Sequence, residues 1–132
     1  MFRVVLDTNI IVSALWSNNI GNPTTILSMA LDEKVALFVT QQIIKEYENV
    51  LFRDKFRHKF SLEIAKKILF LIEKSAIKLN PPTSFFPYFP DETDRKFYDL
   101  AKAADAYLIT GNIKHFPQDS KIITPADFLK MV

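Results

Sequence analysis

The chain has 132 residues, 48% of them apolar and twelve of them Phe, which fits one domain over residues 1–132 with a real core and excludes a disordered tail. Seventeen basic against fifteen acidic residues leave a net charge of +2, which demands no nucleic-acid partner unless the basic residues cluster. The absence of cysteine excludes disulfides and thiolate-bound zinc.

Residues 2–6 contain Arg3-Val4-Val5-Leu6, a short β-branched run that predicts a central strand of a parallel sheet. Asp7-Thr8-Asn9 follows at the strand's carboxyl end, where ligands bind in open α/β sheets. Asp7 or Asn9 serves equally well as a cap for the next helix, expected over 10–14. Asn18-Asn19-Ile20-Gly21 signals a turn, and Asn22-Pro23 a helix start with Asn as cap. Ile26, Leu27, Ala30 and Leu31 share one face of that helix. A buried strand is predicted over 35–39. Thr40 then caps a helix over 41–52 whose apolar stripe is Ile43, Ile44, Tyr47, Val50 and Leu51, with Glu46 beside it.

Residues 53–60 alternate basic side chains with Phe56 and Phe60. Such a pattern contacts phosphates and stacks a base, but more commonly it is a solvated connection anchored by its aromatics. His58 within it is not expected to bind zinc. Ser61 caps a predicted helix over 62–74, with Ile64, Ile68, Leu71 and Ile72 as the buried stripe and charges that suit the helix dipole. A third strand is expected over 76–79, stopped by Asn80-Pro81-Pro82. Three prolines across 82–90 exclude a helix or central strand there. The four aromatics of that loop read either as a lid on the core or as a partner-binding patch.

Asp91-Glu92-Thr93-Asp94 opens a fifth helix, 94–103, with Phe97, Leu100, Ala101 and Ala104 on its apolar face. Strands over 106–110 and 121–123 flank a short turn at 114–117. Thr124-Pro125-Ala126-Asp127 starts a last helix over 125–131. Strands alternating with helices predict an α/β sandwich, three layers around a mostly parallel sheet. The opening residues carry no signal-peptide pattern, and no apolar run approaches the ~20 residues that span a bilayer, so a soluble cytoplasmic protein is expected.

Three carboxylates stand at suggestive positions: Asp7 ends the first strand, Glu46 lies on the helix after the second, and Asp94 begins the helix leading into the fourth. Asn112 follows the fourth strand in Thr110-Gly111-Asn112. Parallel strands would bring these side chains to one edge of the sheet. Converging carboxylates are costly to ionise without a cation, and an all-oxygen set selects a hard one, Mg²⁺ or Mn²⁺. Taken singly, each has a simpler structural explanation: a solvated helix glutamate, a member of a capping box, a left-handed turn.

Val4-Val5-Leu6-Asp7-Thr8-Asn9-Ile10, then Gln42-Ile43-Ile44-Lys45-Glu46, then Asp94 to Ala101, then Tyr107-Leu108-Ile109-Thr110-Gly111-Asn112 resemble the ordered motifs of PIN domains. The resemblance covers essentially the whole chain and points to bacterial toxin components related to VapC-like toxins. It implies an α/β/α sandwich and Mg²⁺- or Mn²⁺-dependent RNA cleavage. Asp7, Glu46 and Asp94 match the acidic residues that hold metal. Thr8 and Thr110 match hydroxyl-bearing positions near the site, and Asn9 a position supporting the loop after the first strand. Many PIN domains carry aspartate where this chain has Asn112, so one negative charge is missing, and Asp91, Glu92 or Asp99 are the residues that would compensate. On this reading Arg53, Lys55, Arg57, Lys59 or Lys114 hold the RNA backbone, an antitoxin blocks the site, and a homodimer is plausible. The alternative is a PIN fold that binds RNA or protein without cleaving. A phosphatase with its nucleophile after the first strand wants a second acid at position 9, where Asn stands. A receiver domain lacks its acidic pair, and dinucleotide binding lacks its glycine-rich turn.

Overall fold

The computed structural model describes residues 1–16, 20–84 and 88–132. Five strands, β1 (Arg3–Leu6), β2 (Ala36–Val39), β3 (Ile77–Lys78), β4 (Tyr107–Ile109) and β5 (Ile122–Ile123), form one sheet in the order β3-β2-β1-β4-β5. Every pairing in it is parallel. β1 is central: Val4 pairs with Leu37 on one side and Tyr107 on the other, and Leu6 with Ile109. Val4, Val5 and Leu6 are each fully buried, as a strand covered by helices on both faces must be. Among the described residues six helices supply that cover: α1 (Thr8–Trp16), α2 (Asn22–Leu31), α3 (Gln41–Leu51), α4 (Leu62–Ser75), α5 (Arg95–Ala104) and α6 (Pro125–Leu129). α5 packs along β1, β2 and β4, burying Phe97, Leu100, Ala101 and Ala104 as its sequence pattern requires.

Helix starts follow their caps. Thr40, Ser61 and Thr124 each accept a hydrogen bond from the backbone N–H three residues on, at 3.1, 3.1 and 3.2 Å. Three local expectations need correction. The first helix is longer than 10–14 and begins directly after Asp7, with the Ile10 N–H on the Asp7 carbonyl at 2.9 Å. The cap of α2 is Gly21, not Asn22, because its φ of 122° suits a residue without Cβ; Asn22 then opens the helix ahead of Pro23. α4 turns Ala65, Leu69 and Ile72 inward and leaves Ile64 47% exposed. Its apolar residues run almost round the helix, so the 3.6-residue pattern does not fix which stripe faces inward.

The third strand shrinks to Ile77–Lys78, an edge pairing with Phe38 and Val39. Residues 53–60 anchor through buried Phe56 and Phe60, whose rings stack 5.6 Å apart. Of the turn at 18–21, Asn18 and Asn19 lie outside the described residues, as do Phe85, Phe86 and Pro87 of the aromatic loop. In the rest of that loop Phe89 is buried against Tyr98 and Phe116, while Tyr88 is exposed. Among the described residues no helix is long and apolar enough to cross a membrane.

Candidate active site

The chain leaves β1 for β2 and β3 on one side, then returns to lay β4 on the other. The strand order therefore reverses between β1 and β4, and that switch opens a crevice beyond their carboxyl ends. Asp7 follows β1 and Thr110 follows β4, so both stand in it. The Asp7 N–H bonds the Ile109 carbonyl at 3.0 Å, and the Thr110 hydroxyl donates to Asp7 Oδ2 at 2.8 Å. Among the described residues the buried polar side chains are Asp7, Thr8, Thr40 and Thr110; Thr40 caps α3, and the other three belong to this crevice.

Burial raises the Asp7 carboxyl above its usual range, and the Glu46 charge raises it further. The Thr110 hydroxyl, the Thr8 backbone N–H and the His115 charge offset part of this. The Thr8 side chain donates to Glu46 Oε2, which ties the first turn of α1 to the middle of α3. Tyr47, next to Glu46, is fully buried and donates its hydroxyl to the Leu6 carbonyl at 2.6 Å. Burial first, then the charges of Asp7 and Glu46, push its ionisation well above the ordinary tyrosine value, so it stays a donor.

Asp94 occupies the cap position of α5, but its backbone is right-handed helical and its carboxylate makes no capping bond. The turn before it is held instead by Asp91, which accepts from the Thr93 N–H at 2.9 Å and the Thr93 hydroxyl at 2.7 Å. The Asp94 carboxylate is thus spared for other work. Burial, then the charges of Asp7 and Asp91, raise it to about 6 against the pull of His115 and Lys96. His115 Nδ1 lies 3.7 Å from Asp94 Oδ2. Of the three acids that were to compensate for Asn112, Glu92 is turned to Arg95 in two bonds of 2.7 and 2.8 Å. Asp99 accepts from Ser84, and only Asp91 adds its charge at Asp94.

Asn112 is exposed and enters through its backbone, its N–H donating to the Thr110 hydroxyl at 3.0 Å. Asn9 is exposed in the first turn of α1. The basic candidates divide. Arg53, Lys55, Lys59 and Lys114 are exposed, with Lys55 over the Phe56 ring at 5.2 Å and Lys59 over Trp16 at 5.0 Å. Arg57 is turned into the protein, donating to the Leu51 carbonyl and lying 5.4 Å over Phe60.

Two residues of this neighbourhood have no sequence signal of their own. Lys96 Nζ lies 2.6 Å from Glu46 Oε1 and also donates to the Thr93 carbonyl. His115 faces Asp94. Each faces an acid 21 or more positions away, and only the fold brings such partners together. With Lys96 and Thr8 each holding one oxygen of Glu46, no three acidic or imidazole side chains among the described residues stand as a ready metal cage. The donor set still suits a hard cation: it is all carboxylate, and burial first, then neighbouring carboxylates, raise both Asp7 and Asp94.

A PIN domain family model matches residues 3–114. An uncharacterized protein of Methanocaldococcus jannaschii, MJ1680, is 34% identical over 111 residues, covering 83% of this chain and 70% of that protein. Two solved structures share the fold. One is a chain of VapBC2 from Rickettsia felis, determined bound to a DNA fragment from their promoter, with a TM-score of 0.59 at 14% identity over 93% of this chain and 97% of that one. The other is PAE2754 from Pyrobaculum aerophilum, with a TM-score of 0.58 at 16% identity over 98% and 88%. A family match over most of the chain, a relative above 30% identity and an all-parallel sheet with its acids at the strand-order switch agree: this chain belongs to the PIN domain family.

Proposed function

We propose that this chain is a divalent-metal-dependent ribonuclease and the toxin of a toxin–antitoxin pair. The observation that carries the reading is a group of partly buried, mutually repelling carboxylates at the switch crevice. Asp7 and Asp94 are both raised above the usual carboxylate range, and a bound cation would release that cost. Asp7 and Asp94 would hold Mg²⁺ or Mn²⁺, joined by Glu46. A bound ion supplies the acidity that ionises water at neutral pH and the charge that stabilises a departing phosphate oxygen. Thr110 orients Asp7 through its hydroxyl, and Thr8 orients Glu46. Asn112 offers a carbonyl oxygen where an acid would add charge, so this chain suits one tightly bound ion better than two. Lys114, Arg53, Lys55 and Lys59 are exposed and would hold the RNA backbone. The likeness in fold to a chain of VapBC2 supports an antitoxin as partner, and a cytoplasmic homodimer fits the same reading.

The test is cleavage of a mixed RNA pool with Mn²⁺, Mg²⁺ or EDTA, for the native chain and Asp7→Asn side by side. Metal-dependent cleavage lost in the variant is the expected result; cleavage that survives the substitution would sink the assignment. A second reading, a PIN fold that binds RNA or protein without cleaving, draws on Lys96 at Glu46 and on the missing charge at Asn112. RNA binding with no Mn²⁺ affinity by calorimetry would favour it.

A further inference from the structure

We propose that Lys96 is a positioning residue, a tethered cation beside Glu46 whose charge opposes a divalent ion engaging all three carboxylates. The inference rests on the metal site of the proposed ribonuclease and adds to it the residue that controls access. Lys96 arrives on the first turn of α5, two residues after Asp94, and its ammonium reaches across to α3. Its side chain is only 14% exposed, and Nζ is fixed by two acceptors from different elements, Glu46 Oε1 at 2.6 Å and the Thr93 carbonyl. Thr8 takes the other Glu46 oxygen, so neither lone-pair face is idle.

The reach of this charge is wider than one pair. Lys96 pulls down both Asp94 and Asp91, and the other cation acting on Asp94 is His115. Lys96 therefore supplies part of the neutralisation that three neighbouring carboxylates, Glu46, Asp94 and Asp91, require. A divalent ion held by Glu46 would lie close to the Lys96 ammonium on the same carboxylate, and the two positive charges repel. Each weakens the other's hold. Lys96 keeps the acids together in the metal-free chain and lowers affinity for the metal by competing for Glu46.

The experiment is a calorimetric Mn²⁺ titration of the full chain at about pH 8, where Asp94 is ionised. The proteins are the native chain, Lys96→Met, Lys96→Gln, Lys96→Arg and Asp94→Asn. Removing a charge within direct contact should tighten Mn²⁺ binding on the order of tenfold in the Met and Gln variants, the scale of a one-unit carboxylate shift. Lys96→Arg keeps the native affinity. A merely structural lysine would lower the melting temperature without tightening metal binding, and that result overturns the proposal. Equal binding by native chain and folded Met or Gln variant overturns the Lys96 role alone. If neither binds Mn²⁺, or Asp94→Asn binds as well as the native chain, the metal site fails and the proposal falls with it.

Discussion

The two ends of α5 use the same residue types to opposite effect. At the carboxyl end Lys102 pairs with Asp119, and Lys121 with Asp105 at 2.6 Å, so each acid has its own cation. Asp105 lies below its usual range because Lys121 bonds and attracts it. Burial pushes Asp119 up, but its bonds to Lys102 and to the Lys121 N–H outweigh that, and it too lies low. At the amino end burial first, then the charges of Asp7 and Asp91, raise Asp94 to about 6 against the pull of His115 and Lys96. Paired charges staple the far end together; a surplus of acid at the near end keeps a demand for positive charge. The contrast separates a structural ion pair from a candidate site more sharply than counting charges does.

Asp94→Asn should show the largest effect of breaking the contrast at the near end: metal-dependent cleavage down by about a hundredfold or more, beyond what losing a residue that only orients a metal ligand costs. The same substitution should stabilise the metal-free chain above pH 6. Asp94 binds its proton near pH 6 in the folded chain but near its ordinary value of 3.8 when unfolded, so the folded chain holds more protons between these values. Stability present below pH 4 is lost as pH rises through 6, and asparagine removes that loss. Thermal melts in EDTA at several pH values check it; a lower melting temperature for the variant at pH 8 would contradict the sign.

Thr110→Val should come next. It leaves Asp7 Oδ2 and the Asn112 N–H without their shared partner in a fully buried place. Urea titration should give a loss of ~1–3 kcal/mol, the cost of unsatisfied buried groups. The smallest effect belongs to the far end. Lys102→Ala removes a largely exposed ion partner, so ~1 kcal/mol or less is expected, with RNA cleavage unchanged. Cleavage that fell with Lys102→Ala as it does with Asp94→Asn would erase the distinction between the two ends.

The strands and helices were legible because their signals are local. Caps at Thr40, Ser61 and Thr124 and the apolar face of α5 need only a few neighbouring residues to be read. α4 shows where local reading stops: with Leu62, Ile64, Ile68, Leu69, Phe70, Leu71 and Ile72 all apolar, the packing of α2 and α3 against it decides which stripe turns inward. Asp7 stands out by position because it directly follows β1, whereas Glu46 lies in the middle of α3 and Asp94 at the start of α5, places that solvated or capping acids also take. Lys96 was not legible, because its partner lies fifty residues earlier on an element that pattern alone does not place beside it.

The sheet also ends abruptly on both sides. β3 and β5 are two residues each, and β3 carries Lys78. Unpaired backbone at a sheet margin is the usual template for another chain to add a strand, and short margins bearing lysine are how proteins withhold it. A protein partner that extends a sheet reads several consecutive main-chain groups, and these margins present few. Recognition of this chain by another protein must therefore run through side chains on helices and loops, where specificity is written residue by residue.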